Sequence, residues 1–227
     1  MMKKNINEYE LIIFDMDGTL YFQRPLQIHM AFKMICSCLK PGGLSEMITV
    51  LKFRKLREQW NEVKVSSDNS DADIDNAQYR YLASQTGKSP ADIEKAVKEW
   101  IYNKPLSIIC KYRDHTLFEI IKKYHLRKKQ VVIYSDYPAI DKRDALKLPA
   151  IPCFYGGQEE IGCMKPDPKG LTYIMSVYGI TEPSKVLMIG DRQSKDGQAA
   201  ISAGTDYLIL RKHKFQRRTQ YPLLFSE

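Results

Sequence analysis

The sequence predicts an α/β protein with a doubly wound parallel sheet and an inserted all-helical segment. Short apolar runs recur along the chain, and segments with helical spacing separate them. This alternation is typical of a parallel sheet with helices on both faces. The rhythm is interrupted between residues 22 and 112, which predicts the insert.

Four apolar runs are predicted strands. Their length and β-branched content indicate strands buried on both faces, as in a parallel sheet. They cover residues 11–14, 131–134, 186–189 and 207–210. A shorter run at 153–155, ended by two glycines, is a weaker fifth candidate.

Helices are predicted between these strands, over residues 114–125 and 193–203 and after Asp167. Asp167-Pro168 has the pattern of an N-cap followed by proline at the first helical position, and Gly179 that of a helix end.

The insert divides the chain into two predicted domains. Residues 1–21 and 113–227 would form the α/β core domain, and residues 22–112 a helical cap domain. Ser89-Pro90 is typical of a helix start. Residues 66–75 are polar and predict a loop. One buried helix face is predicted from residues at steps of three and four: Phe53, Leu56, Trp60 and Val63.

The composition is that of an ordinary globular protein, with 44% hydrophobic and 27% charged residues. No apolar run approaches the roughly 20 residues that span a bilayer, and the basic N-terminus does not lead into the apolar segment of a secretory signal. The five cysteines lack paired metal-ligand spacing. We therefore expect a cytoplasmic protein with reduced thiols that does not bind a membrane.

The formal net charge is +8, which could attract nucleic acid, an anionic membrane or small anionic substrates. We interpret the basic C-terminal cluster as a solvated, partly mobile end. It contains Arg211, Lys212, Lys214, Arg217 and Arg218. Nothing resembles a helix-turn-helix, an RNP motif or a zinc finger, so no nucleic-acid partner is expected.

Residues with catalytic chemistry follow three of the predicted strands. Asp15 and Asp17 follow the first, Ser135 and Asp136 the second, and Asp191 the third. Ligands of an open parallel sheet bind beyond the carboxyl ends of its strands. This convergence predicts a single site at one edge of the sheet.

Asp15 and Asp17 are two residues apart as the chain leaves a strand, so both carboxylates can face one site. All-oxygen ligands favour Mg²⁺ over zinc. An Asx-type turn after the strand would explain the same pair of aspartates without a metal.

The segment 14–20, Phe-Asp-Met-Asp-Gly-Thr-Leu, resembles the first motif of the haloacid dehalogenase superfamily of phosphohydrolases. Later motifs follow in the family's order: Ser135, then Lys165 in Lys-Pro-Asp-Pro, then residues 190–196. The resemblance covers residues 10–21 and about 113–210. The insert lies where phosphoglycolate phosphatase-like and β-phosphoglucomutase-like members carry a helical C1-type cap.

The resemblance implies roles for the first motif. Asp15 would be the nucleophile that forms an aspartyl phosphate. Asp17 would protonate the leaving oxygen and then deprotonate the attacking water. Mg²⁺ would be held by Asp15, the Asp17 carbonyl and Asp191. Thr19 would belong to the phosphate-binding group and orient Asp17.

The later motifs would complete the site. Lys165 would neutralise the nucleophile and a phosphate oxygen, while Ser135 and the Asp136 N–H would hydrogen-bond the phosphate. Asp196 would either ligate the metal or hold the metal ligands in place without contacting the metal. Arg192 is interpreted as a surface charge.

Several alternative functions remain open. Dehalogenases of the superfamily lack the second aspartate of the first motif, so Asp17 argues against dehalogenation. Phosphonate-cleaving relatives have alanine at that position. Phosphomutases share the core residues, and His29 lies near the cap position where some carry a histidine. A non-enzymatic binding module that uses the basic tail is a candidate from another class.

The expected partner is a small phosphorylated metabolite, and the cap would set its specificity. Tyr21, Phe22, Arg24 and the helix around residues 52–57 are the candidate specificity residues.

Overall fold

The strands of the protein form a parallel sheet. The structure, a computed structural model, describes residues 1–66 and 74–225. Its strands are β1 (Leu11–Phe14), β2 (Gln130–Ser135), β3 (Cys153–Tyr155), β4 (Val186–Gly190) and β5 (Asp206–Ile209). They pair in the order β3-β2-β1-β4-β5, and every pairing is parallel. The predicted fold class and all the predicted strands are confirmed.

Helices lie between and after these strands along the chain. They are α1 (Gln23–Ser37), α2 (Gly43–Ser66), α3 (Ile74–Thr86), α4 (Pro90–Val97), α5 (Lys104–Ile109), α6 (His115–Leu126), α7 (Ile140–Ala145), α8 (Lys169–Val177), α9 (Gln198–Ala203) and α10 (Lys214–Arg217). None of the described helices combines the length and the apolar character that crossing a membrane requires.

The chain divides into two compact units. The core unit contains Met1–Arg24 and Ile109–Glu227, and the inserted unit is Pro25–Ile108. The inserted unit is helical throughout its described length outside the short connections. The assignment of residues 22–112 as a cap domain stays a prediction.

Within the inserted unit, Phe53, Leu56 and Trp60 of α2 are buried as predicted. The side chain of Val63 and most of the predicted loop at 66–75 lie outside the described residues. Ser89 caps α4, because its hydroxyl accepts a hydrogen bond from the Asp92 N–H.

The core unit buries both faces of its central strand. All four residues of β1 are fully buried, which explains why the strand is a continuous apolar run rather than an alternating one. On one face, α8 and α9 pack against the sheet through Leu171, Ile174, Ala199 and Ala200. Burying each large apolar side chain contributes about 1.5–3 kcal/mol.

The predicted helices of the core unit are present with shifted ends. Asp114 caps α6 through a hydrogen bond from the Leu117 N–H. Helix α8 begins at Lys169, whose N–H donates to the Asp167 carboxylate at 2.9 Å. The predicted helix over 193–203 starts with a π-helical turn, Gln193–Gly197, and continues as α9.

The C-terminal segment corrects one expectation. Lys212, Lys214 and Arg218 are exposed, but the guanidinium of Arg217 is completely buried. Tyr221 and Leu224 are also buried. One charge of the basic cluster is therefore not solvated, because the Arg217 guanidinium folds into the core unit and is paired with Asp114 there.

Candidate active site

The three adjacent strands β2, β1 and β4 deliver the site residues to one edge of the sheet. Asp15 directly follows β1, Ser135 is the last residue of β2, and Asp191 directly follows β4. Since these strands are parallel neighbours, their carboxyl ends lie side by side. The sheet topology therefore brings these three segments together, as the sequence predicts.

A buried lysine joins two of the aspartates. Lys165 Nζ lies 2.6 Å from Asp15 Oδ1 and 2.6 Å from Asp196 Oδ1. The Lys165 side chain is only 2% exposed. Burial alone would lower the pKa of Lys165, but the carboxylates of Asp15 and Asp196 outweigh it and hold that pKa well above its usual value.

For Asp15, burial outweighs the neighbouring positive charge in setting the pKa. Burial raises the pKa of the Asp15 carboxyl well above its usual range, Lys165 opposes this, and the nearby Asp196 and Asp191 add to it. Besides burial, an excess of negative charge contributes to this shift, because three carboxylates share one lysine. Additional positive charge at this site would therefore be stabilising.

Asp191 occupies a space that glycine leaves open. Gly18 has φ +88°, and a Cβ at this position would overlap the Asp191 carboxylate. The Asp191 Oδ1 atom is buried and has no hydrogen-bond partner in the described part of the chain. Burial, with a further contribution from Asp196, raises the pKa of Asp191 to about 6.

These carboxylates fit a hard divalent cation. Oxygen atoms of Asp15, Asp191 and Asp196 all lie within 4.8 Å of one another. The unpartnered Asp191 oxygen and the excess negative charge are what an oxygen-ligated cation would satisfy. Asp191, with its unpartnered oxygen, is the best placed of the three to hold it.

Asp196 has both oxygens engaged by the protein. Its Oδ1 accepts from Lys165, and its Oδ2 accepts from the backbone N–H groups of Asp191 and Arg192, at 3.2 and 3.0 Å. A Cβ on Gly190 would also overlap the Asp196 side chain. These contacts hold Lys165 and the start of the segment after β4 in place, and the choice between the two predicted roles of Asp196 stays a prediction.

Asp136 links the later motifs to one another. Its carboxylate accepts from the Lys165 N–H at 2.9 Å and from Lys195 Nζ at 3.0 Å. The hydroxyl oxygen of buried Ser135 accepts from the Tyr137 N–H at 3.4 Å. The phosphate-binding roles of Ser135 and Asp136 stay predictions.

Thr19 is placed differently from the expectation. It is completely buried, and its hydroxyl donates to Asp15 Oδ2 at 3.1 Å rather than orienting Asp17. The cause is the turn at Gly18, which returns the chain towards Asp15. Thr19 thus orients the predicted nucleophile.

Asp17 is held by residues that the sequence did not single out for this purpose. Tyr21 donates its hydroxyl to Asp17 Oδ1 at 2.6 Å, and Lys142 Nζ lies 2.6 and 2.9 Å from the two oxygens. In the part of the chain that is described, the cluster of potential metal-binding carboxylates does not include Asp17. A ligand role for its carbonyl stays a prediction.

The remaining candidates lie in both units. Phe22 stacks beneath the Arg217 guanidinium, 4.9 Å from the ring centroid. In the inserted unit, Arg57 lies over the rings of Phe53 and Tyr102. His29 is partly exposed on α1. Roles for these residues and for Arg24 in substrate selection stay predictions.

Sequence reasoning missed Lys142 and the buried position of Arg217. The sequence carries one signal for Lys142, its helical spacing from the apolar residues Ala139 and Leu146, both of which the structure buries. Arg217 carried none, because it lies within a run of otherwise exposed basic residues.

Comparison with known proteins identifies the class to which this α/β core, with its acidic strand ends and buried lysine, belongs. The family model for haloacid dehalogenase-like hydrolases matches residues 9–204. The chain therefore belongs to the haloacid dehalogenase-like hydrolase family. A search of curated proteins found no match.

Solved structures share the fold at low sequence identity. A 2-haloacid dehalogenase from Pseudomonas syringae pv. tomato is 15% identical, with 89% of this chain and 86% of that chain covered and a TM-score of 0.58. The HAD-hydrolase YfnB from Bacillus subtilis, bound to magnesium, has the same identity and coverage and a TM-score of 0.55. CbbY from Rhodobacter sphaeroides, in complex with xylulose-(1,5)bisphosphate, is 14% identical, with 92% and 89% covered and a TM-score of 0.53.

Proposed function

We propose that this hydrolase is a Mg²⁺-dependent phosphatase that cleaves a small phosphate monoester through an aspartyl phosphate on Asp15. The observation that carries the proposal is the contact of Lys165 Nζ with Asp15 Oδ1 at 2.6 Å, at the end of the central strand. A lysine against this carboxylate can neutralise a phosphoryl oxygen that approaches it.

The chemistry follows from the positions of two aspartates. A carboxylate oxygen of Asp15 attacks phosphorus, and the bond from phosphorus to the ester oxygen breaks. Asp17 gives its proton to the leaving oxygen. Asp17 then accepts a proton from the water that attacks phosphorus, which releases phosphate and restores the Asp15 carboxylate.

The other residues position these groups. Thr19 and Lys165 fix the two oxygens of Asp15. Asp15 and Asp191 would hold Mg²⁺, with the Asp17 carbonyl as a further ligand. Bound Mg²⁺ would supply the positive charge that offsets the three carboxylates and the phosphate. The magnesium in YfnB, which shares the fold, is consistent with this choice of ion.

Asp17 also favours an ester over a halide as the substrate. A leaving halide needs no proton, whereas an alkoxide does, so a second acid beside the nucleophile is useful only for ester cleavage. The substrate class proposed is a small phosphorylated metabolite, with specificity set by the inserted unit. A cytoplasmic location belongs to the same proposal.

A panel of phosphate esters tests the proposal. We expect inorganic phosphate from at least one ester in Mg²⁺, and none in EDTA, with the melting temperature in EDTA showing that the protein stays folded. Phosphate release that persists in EDTA would contradict the metal dependence. Isomerised sugar phosphate without phosphate release would identify a phosphomutase, and halide release from a haloacid a dehalogenase.

A further inference from the structure

Helix α7 buries a lysine and exposes an isoleucine. Lys142 is 9% exposed, whereas Ile140, two residues earlier, is 53% exposed. Lysine is among the side chains least often buried without a partner. Ala139 and Leu146, at helical spacing from Lys142, are buried as well. The lysine therefore lies on the helix face that packs inward.

The Lys142 ammonium contacts one of the proposed catalytic groups. Its Nζ lies 2.6 Å from Asp17 Oδ1 and 2.9 Å from Asp17 Oδ2. The side chains of Lys142 and Asp17 are 11% and 26% exposed. A partly buried ion pair of this geometry restricts both side chains more than a surface pair would.

Tyr21, in the segment between β1 and α1, contacts the same carboxylate. Its hydroxyl donates to Asp17 Oδ1 at 2.6 Å, and the Tyr21 side chain is buried. Tyr21 lies four residues after Asp17, while Lys142 is 125 residues away in the chain. With donors on both oxygens, the Asp17 carboxylate is fixed in one orientation.

We propose that Lys142 is a positioning residue for Asp17, acting together with Tyr21. The inference rests on the proposed function, in which Asp17 delivers a proton to the leaving oxygen. Proton delivery requires hydrogen-bond reach and correct direction, and a displacement of about 1 Å can cost on the order of a hundredfold in rate. In the acid form, Asp17 carries its proton on Oδ2, while Lys142 and Tyr21 stay hydrogen-bonded to Oδ1 and keep that proton directed at the leaving oxygen. Lys142 thus supports the step that depends on the leaving group.

Two esters separate this role from a purely structural one. An aryl phosphate has a leaving group that needs little protonation, and an alkyl phosphate has one that needs it fully. In Lys142→Met we expect kcat/KM to fall about 10- to 100-fold for an alkyl phosphate and less than about threefold for p-nitrophenyl phosphate. Tyr21→Phe should shift the ratio in the same direction, and Lys142→Arg should retain part of the alkyl activity.

Lys122→Met is the matched control, because Lys122 is an exposed lysine on α6 of the same unit. It should leave both rates unchanged. Since Lys142 acts through Asp17, adding Lys142→Met to Asp17→Asn should cause no further loss. The melting temperature of each variant identifies any that fails to fold, and Lys142→Arg and Tyr21→Phe then carry the comparison.

The outcomes distinguish the two proposals. Equal losses on both esters, or a further loss from Lys142→Met in the Asp17→Asn background, would overturn the positioning role and leave the phosphatase proposal intact. Absence of phosphate release by the wild-type protein from any ester would overturn the phosphatase proposal itself.

Discussion

The guanidinium of Arg217 donates to the Asp114 carboxylate at 2.9 Å, although 103 residues separate the two in the chain. The same guanidinium donates to the carbonyl oxygens of Gly18 and Thr19. Tyr221 donates its hydroxyl to Asp114 as well, at 2.7 Å. The C-terminal segment thereby holds in place the turn at Gly18 and Thr19, which follows Asp15 and Asp17 in the chain.

Replacing Arg217 should destabilise the fold. Arg217→Met leaves the buried Asp114 carboxylate with one donor fewer and removes the donors to two carbonyls, so we expect a loss of about 3–5 kcal/mol in the free energy of unfolding. Urea denaturation measures this. The control is Arg218→Met, whose exposed side chain should change stability by less than about 0.5 kcal/mol. Equal effects of the two substitutions would refute the buried role.

Gly18→Ala should damage the site more than the fold. The new Cβ would overlap the Asp191 carboxylate at a backbone φ of +88°. We expect Mg²⁺ to raise the melting temperature of the wild type but not that of the variant. We also expect kcat to fall by about a hundredfold or more.

Gly87→Ala controls for backbone strain, because Gly87 has φ +67° with no atom within 4 Å of the added Cβ. It should cost about 1–2 kcal/mol of stability and leave kcat unchanged. If Gly18→Ala behaves in the same way as Gly87→Ala, the close contact with Asp191 is not what requires glycine.

Asp191 should make the metal-free protein less stable as the pH rises. Its folded pKa of about 6 exceeds the unfolded value of about 3.9, so the folded state binds the proton more tightly. The stability from this group is fully present below about pH 4 and is lost as the pH rises through about 6.

Asp191→Asn removes that titration. In EDTA we expect the variant to gain stability relative to the wild type between about pH 4 and 7, by on the order of 1–3 kcal/mol. Chemical denaturation at a series of pH values measures the difference. A variant that is less stable than the wild type at pH 7 would show that the ionised carboxylate is favourably placed without a metal.

Asp15→Asn should separate activity from stability. The change removes a nucleophilic carboxylate, so turnover should fall by several orders of magnitude. It also removes a buried carboxyl group whose pKa is raised, while Lys165 keeps its ion pair with Asp196. The melting temperature in EDTA should therefore stay at or above that of the wild type. Turnover within tenfold of the wild type would exclude Asp15 as the nucleophile.

The sequence predicted those features that depend on local pattern. The strand from Leu11 to Phe14 is apolar at every position because both faces are buried, and that run is visible without a structure. Asp15, Ser135 and Asp191 converge because parallel strands share an edge, so their neighbourhood followed from topology.

Long-range pairings could not be predicted in this way. The bonds of Lys142 to Asp17 and of Arg217 to Asp114 join segments more than 100 residues apart, and nothing local to either partner specifies the other. The resemblance implies that Thr19 orients Asp17, whereas the turn at Gly18 directs the Thr19 hydroxyl to Asp15.

Trapping the covalent intermediate tests the central proposal most directly. Turnover of a cleaved phosphate ester in Mg²⁺ would be quenched in acid, and the peptides examined by fragmentation mass spectrometry. We expect phosphate on Asp15, and none there in Asp15→Asn. Phosphate release by the wild-type protein with Asp15 unmodified throughout turnover would contradict the aspartyl-phosphate route.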